Sequence, residues 1–258
     1  MKTIARLFCQ RLDSLENHVH LVDDLRRLAA SREVTSATRT ILGRQALATR
    51  ERMRVSREWE TVSLDGCLLS VAAEFELASR DLAEAASGRL ASKVKRYQDI
   101  PEPIRVENVR LVGELLTAIN KPRTAHIDYI QVVEDVARCL TKGKPVRLYV
   151  SGFASHGRNL TSGELSELFS RLQVKDLWRK MSDAPELRGH LGTTTAETTA
   201  QLARNKLDAF IDTRNQIAHR GPNYQTVGSS VVLDYIDYFR SLVPALASVL
   251  DDHLTNFP

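Results

Sequence analysis

Apolar residues recur at helical spacing along almost all of this 258-residue chain, and that periodicity constrains the fold more than any other feature. From residue 13 to residue 58 there is no proline and a single glycine, Gly43, so long helices can form there. Prolines and glycines divide the rest of the chain into shorter helical segments. The pattern predicts an all-α protein.

Helix-breaking residues and capping residues set the expected boundaries of these elements. Residues 87–88, Ser-Gly, are expected to end the second long helix, residues 146–150 to form a short strand, and residues 189–195 to form a loop. Residues 161–164, Thr-Ser-Gly-Glu, have the form of a helix start. The predicted helices cover residues 4–28, 62–86, 106–119, 127–140, 198–220 and 230–254.

Several classes of protein do not fit the sequence. No apolar run approaches the ~18 residues of a membrane span, and the first residues are too polar for a secretory signal. Cys9, Cys67 and Cys139 lie far apart, which fits neither a disulfide framework nor a zinc site. Walker-type phosphate loops are missing as well. We therefore expect a cytoplasmic protein with no cofactor, no metal and no membrane partner.

Positive charge is concentrated in one segment. The whole chain carries a net charge of +4, but the segment from Arg26 to Arg57 holds nine arginines and two acids, a net of +7, which leaves −3 for the remainder. A polyanion such as RNA would be attracted to this segment. A solvated face of a long helix would have the same composition, so both interpretations stay open at this point.

The segment from Arg214 to Gly221 contains the side chains that RNA cleavage without a metal requires. Arg214 can hold a phosphate, His219 can move protons near neutral pH, and Asn215 lies one helical turn from that imidazole. The helix is expected to end just after His219, because glycine and proline follow at 221–222.

Helical geometry divides this segment into two faces. One is an apolar stripe directed at the core, and the other is a polar face with Arg214 at its border. A structural role is the competing interpretation, because an arginine or histidine is common in a final helical turn and Arg214 could pair with Asp208 or Glu76. The stripe consists of Leu207, Phe210, Ile211, Ile217 and Ala218, and the polar face of Asp208, Asp212, Asn215 and His219.

These residues resemble the hallmark of the HEPN superfamily, in which an arginine and a polar residue precede a histidine at the end of a helix. Arg214, Asn215 and His219 match it with four residues between arginine and histidine. The string 210–221 is similar to the RiboL-PSP-HEPN branch, and so is the segment 159–177. Residues 72–82 resemble the family's early helix, where an acid faces the motif arginine. Glu76 is the expected acid, with Glu74 as the alternative.

The resemblance covers residues 59–254 and implies a HEPN-like helical bundle that dimerises through the motif helices. The expected domains are a basic helical extension at 1–58 and a HEPN-like domain at 59–258. Family enzymes are metal-independent endoribonucleases, often toxins or antiviral effectors. The expected partners are therefore RNA, a second copy of the chain, and an antitoxin or defence-system protein.

Roles for individual residues follow from the motif and the resemblance. Arg214, Asn215 and His219 are the expected catalytic residues, supported by Glu76 and Asp212. Two other functions remain open: a non-catalytic module that binds RNA or nucleotides, and a helical adaptor for a partner protein. The residues expected to bind RNA are Arg50, Arg52, Arg54, Arg57 and Arg220.

Overall fold

A computed structural model describes residues 1–30, 41–55, 58–117, 128–144, 146–149, 159–219 and 226–257, without the side chains of residues 42, 43, 54 and 55. Within those ranges the chain forms ten α-helices and a short 3-10 turn, Tyr97–Asp99, and no β-strand. The all-α prediction is confirmed. The helices are α1 Lys2–Ala30, α2 Ile41–Val55, α3 Glu58–Lys93, α4 Glu102–Thr117, α5 Tyr129–Lys142, α6 Ser162–Ser170, α7 Leu177–Met181, α8 Pro185–Leu191, α9 Ala196–His219 and α10 Ser229–Thr255.

The core lies between the long helices α1, α3, α9 and α10. Rings from three of them meet at its centre: the Phe239 ring centroid is 4.6 Å from that of Phe75 and 4.7 Å from that of Phe210. All three side chains are fully buried. Such aromatic pairs contribute beyond the area that they remove from water.

The N-terminal helix shares this core. Phe8, Leu12 and Val19 of α1 are buried against the same cluster of side chains. Arg240 of α10 reaches α1 as well, with its Nη2 atom 2.9 Å from an Asp13 oxygen and 2.6 Å from a Glu16 oxygen. Helix α1 therefore packs as part of the bundle, while the domain boundary at residue 58 stays a prediction.

The predicted stop at Ser87-Gly88 is wrong, because α3 continues through both residues to Lys93. The Ser87 hydroxyl donates to the carbonyl oxygen of Ala83 at 2.9 Å, so the helix itself satisfies this polar group. Ala86 and Leu90 are buried on either side of the pair. Burial of this face outweighs the weak local preference of serine and glycine for a helix end.

Two shorter predictions also need correction. Residues 146–149 are not a strand: the backbone N–H of Tyr149 donates to the side-chain oxygen of Asn108 at 2.7 Å, where a strand would use a neighbouring strand. Residue 150 lies outside the described residues. The predicted loop at 189–195 begins too early, because α8 runs to Leu191 and ends at Gly192, whose φ of 62° suits glycine.

The helix directions place the motif segment at one end of the bundle. Helices α9 and α10 are antiparallel because a short connection joins His219 to Ser229. Helix α3 runs parallel to α10, since contacts with α10 advance from Phe75–Phe239 to Arg89–Asp251. The C-terminal end of α9 therefore lies at the N-terminal ends of α3 and α10.

The described parts of the arginine-rich segment, the end of α1 and helix α2, lie at the same end of the bundle. Arg26, near the end of α1, forms an ion pair with Glu60 in the first turn of α3 at 3.4 Å. Arg50 of α2 donates through Nε to the carbonyl oxygen of Ala29 at 3.2 Å. Helix α2 and the end of α1 are thus held beside the N-terminus of α3. None of the described helices is long and apolar enough to cross a membrane.

A half-buried histidine, His190, makes the stability of this bundle depend on pH. The Nζ atom of Lys206 lies 2.9 Å from Nε2 of His190 and 2.7 Å from an Asp234 oxygen. Burial, and after it the Lys206 charge, lowers the pKa of His190 below its usual 6.5, against the opposing charges of Asp234 and Asp237. The unfolded chain then binds the proton more readily, so stability should fall as the pH drops through about 6.5 toward the folded-state pKa.

Thermal unfolding near pH 7.5 and near pH 5.5 checks this expectation. His190→Gln should lose less stability than the wild type on acidification, because glutamine can accept from Lys206 without taking up a proton. Part of the loss should remain, since burial lowers the pKa of His253 as well. His18→Gln, at an exposed position of α1, is the control and should keep the wild-type pH dependence. An unchanged pH dependence in His190→Gln would contradict the assignment.

Candidate functional site

The site is built on the last two turns of α9. The apolar stripe predicted for this helix is buried at Leu207, Phe210, Ile211 and Ile217. The prediction that Ala218 joins the core is wrong: Ala218 is exposed, because the stripe is uncovered at the last turn. At 100° per residue, Arg214 projects from the same side as Leu207 and Ala218. The side of α9 that faces the core is therefore accessible to solvent at Arg214.

Arg214 is held by two neutral amides. Its Nη1 atom donates to Oδ1 of Asn159 at 3.1 Å and to Oδ1 of Asn215 at 3.2 Å. The side chain is half-buried, and no carboxylate within the described part of the chain pairs with it. The positive charge of Arg214 is consequently oriented but not neutralised, which leaves it able to attract an anion.

Asn159 belongs to a segment that is hydrogen-bonded to α9. Both the backbone N–H and the hydroxyl of Ser162 donate to the Asp208 carboxylate at 2.7 Å. Trp178 of α7 donates through its indole N–H to the carbonyl oxygen of Ser162 at 3.2 Å. Thr161 caps α6 by accepting from the backbone N–H of Glu164 at 3.3 Å, as the predicted helix start requires.

His219 is the last residue of α9, and its side chain is exposed. Across the described ranges no hydrogen bond holds the imidazole, so it is accessible to a ligand. Asn215, which the sequence associates with the imidazole or with a phosphate, instead accepts a hydrogen bond from its neighbour Arg214. Arginine, amide and imidazole thus share one helix end, but only the first two are in contact.

The acids named from the sequence lie elsewhere. Glu76 is half-buried on α3, and the structure gives no ion pair or hydrogen bond between this carboxylate and Arg214. Glu74, the alternative, pairs with Arg11 of α1 at 2.7 Å. Asp212 is exposed on the polar face of α9. The contact between an early acid and the motif arginine that the resemblance implies is therefore not seen among the described residues.

The arginines expected to bind RNA are in different environments. Arg50 is 8% exposed and donates to the C-terminal turn of α1, so that its side chain joins α1 to α2. Arg52 is exposed. The Arg54 side chain, together with Arg57 and Arg220, lies outside the described residues.

Two important contributors were not recognised from the sequence. The sequence marks Asn159 only as the first residue of a segment similar to the family, and it predicts no contact between Ser162 and Asp208. Asp208 itself was placed correctly on the polar face, but as a candidate partner of Arg214 rather than of α6. Nothing in the local sequence could reveal the Asn159 contact, because its two partners are 55 residues apart.

A match to a protein-family model shows the family of this chain. The RiboL-PSP-HEPN family model matches residues 53–256. Neither a curated protein nor a solved structure matches the chain. The matched region begins at the end of α2 and includes α3 to α10. It thus contains Arg214, Asn215 and His219 together with Asn159. Because this match extends over most of the chain, the protein belongs to the RiboL-PSP-HEPN family.

Proposed function

We propose that this protein is a metal-independent endoribonuclease, with Arg214, Asn215 and His219 in its active site. One observation carries the proposal: an oriented arginine that no described carboxylate neutralises lies within two helical turns of an exposed histidine at the open end of α9. Membership of a family whose domains are often ribonucleases supports it.

The reaction explains why these residue types suffice. RNA carries its own nucleophile, the 2′-OH, which attacks the adjacent phosphorus once it is deprotonated. The bond from phosphorus to the 5′-oxygen then breaks, that oxygen takes up a proton, and a 2′,3′-cyclic phosphate remains. General acid–base catalysis contributes roughly 10²–10⁴-fold. Positioning and charge stabilisation must supply the rest.

Each side chain has a role that fits its surroundings. Arg214 binds the phosphate oxygens and stabilises the charge that they gain in the transition state. His219 acts as base or acid on the exposed end of the helix. Asn215 holds the guanidinium, as its hydrogen bond to Nη1 indicates.

A symmetric dimer would complete the site. The reaction needs both a base and an acid, and each chain supplies one motif histidine. A two-fold axis near the end of α9 would bring two copies of His219 to one cleft. The uncovered Ala218, which continues the apolar stripe of α9 to the surface, supports an interface at this helix end.

The arginine-rich helices are the proposed binding surface for the rest of the RNA. The end of α1 and helix α2 stand at the same end of the bundle as the motif. Arg44 and Arg52 of α2 are exposed and can contact phosphates. We further infer, from the family alone, an effector role in a toxin or antiviral defence system.

Incubation of a mixed pool of single-stranded and transfer RNA with the protein in EDTA tests the proposal. We expect cleavage, with products that end in 2′,3′-cyclic phosphate, and no cleavage of a matched DNA pool because DNA lacks the 2′-OH. A protein that binds RNA in a salt-dependent manner but leaves it intact would instead be a binding module. One that neither binds nor cuts RNA would fit an adaptor.

A further inference from the structure

Among the described residues, Asn159 is the one hydrogen-bond partner of Arg214 that does not come from α9. It lies 55 residues before Arg214 in the chain, and its Oδ1 atom accepts from Nη1 at 3.1 Å. The other acceptor, Asn215, is the next residue along the helix and moves with the arginine. Within the part of the chain that the structure describes, Asn159 is therefore the residue that fixes the guanidinium relative to the rest of the bundle.

The position of Asn159 is itself fixed by α9. The carbonyl oxygen of Asn159 accepts from the backbone N–H of Thr161 at 2.8 Å. The next residue, Ser162, is bound by the Asp208 carboxylate through two hydrogen bonds. The segment 159–162 thus runs along α9 from Arg214 to Asp208.

The two amides use a particular part of the guanidinium. Nη1 carries two hydrogens, and two oxygens accept from this atom. The remaining donors are Nε and Nη2, which lie along one edge and point in parallel. That edge is the fork that binds two oxygens of a phosphate. Within the described residues no other group takes it.

We propose that Asn159 is a positioning residue that presents the Nε–Nη2 edge of Arg214 to the scissile phosphate. This inference rests on the proposed function of Arg214. The acceptor must be uncharged, because a carboxylate at the same place would pair with Arg214 and compete with the phosphate. Asparagine supplies orientation without that competition.

The isosteric substitution Asn159→Asp separates this role from a purely structural one. Aspartate has the size of asparagine and can accept the same hydrogen bond, so a merely structural contact would be preserved or strengthened. Under the proposal the variant folds normally but binds RNA about tenfold more weakly and cleaves it with a kcat reduced about 10–100-fold. Asn159→Ala removes the acceptor without adding charge and should lower kcat more than it raises KM.

The experiment uses the full-length protein and the RNA that the wild type cuts best. Cleavage gives kcat and KM, a 2′-deoxy version of that RNA gives the Kd without turnover, and thermal unfolding verifies the fold. Asn205→Asp is the matched control, because it places the same charge at an exposed position of α9, two and a half helical turns before Arg214. It should behave like the wild type.

The outcomes distinguish the two proposals. If the wild type cuts RNA and both Asn159 variants cut it at the wild-type rate, the positioning role is wrong and the ribonuclease function stands. If the Asn159→Asp variant unfolds, the kcat of Asn159→Ala is the test. A wild-type kcat contradicts the positioning role, and a reduced kcat supports it. A wild type that leaves RNA intact removes both proposals together.

Discussion

Replacing His219 with alanine should lower the rate of RNA cleavage by about 10²–10⁴-fold, the range that general acid–base catalysis contributes. The thermal stability should hardly change, because the His219 side chain is exposed and has no hydrogen bond among the described residues. RNA binding should be largely retained, since the phosphate contacts of Arg214 do not depend on the imidazole. The measurement is the single-turnover cleavage rate beside the unfolding temperature.

His18→Ala is the control for this change. It removes an exposed imidazole from α1, and the cleavage rate should stay at the wild-type value. A His219→Ala protein that cuts RNA as fast as the wild type would contradict the assignment of His219 as acid or base. A variant that loses its fold would contradict the exposed placement of the side chain.

Mixed dimers of wild-type and His219→Ala chains test whether two subunits share one active site. If two copies of His219 act as acid and base in one cleft, a dimer of one wild-type and one His219→Ala chain is inactive. An equal mixture should then show about half of the activity expected from independent subunits. Activity that falls in proportion to the wild-type fraction would mean that each chain cleaves RNA alone.

Local sequence signals were sufficient to predict the frame of this site. Helix α9 was expected over 198–220 and runs Ala196–His219, and α10 was expected over 230–254 and runs Ser229–Thr255. The ends of both helices depend on apolar periodicity and on helix-breaking residues a few positions away, so they can be predicted without knowing any long-range contact. The apolar stripe of α9 is buried for the same reason, up to Ile217.

The contacts that complete the site could not be predicted in that way. Helical spacing gives the face on which Arg214 lies, but not which segment contacts it. The sequence favours Glu76 as the partner of Arg214, where the structure has Asn159. The continuation of α3 through Gly88 also depends on distant parts of the chain, because burial against other helices outweighs the local preference for a helix end. Exposure of Ala218 likewise depends on where the neighbouring elements end.

Replacing Arg214, like replacing His219, should strongly reduce RNA cleavage. Comparing alanine with lysine at this position separates the effect of charge from the effect of guanidinium geometry. Arg214→Ala removes the only guanidinium held at this helix end among the described residues, and we expect cleavage to fall by about 10²–10³-fold. Arg214→Lys keeps the charge but should recover little activity. A lysine ammonium cannot donate to Asn159 and Asn215 and still offer two parallel N–H groups to a phosphate.

Stability should fall only modestly in both variants. The partners of Arg214 are neutral amides at a half-buried position, and losing one such hydrogen bond costs about 1 kcal/mol. An ion pair with Glu76 would have left a carboxylate without its partner, whereas the observed contacts leave no charge behind. Arg204→Ala, at an exposed position earlier on α9, is the matched control and should cleave RNA normally. Wild-type cleavage by Arg214→Lys would show that charge alone is needed, and that the orientation imposed by the two amides plays no part in the reaction.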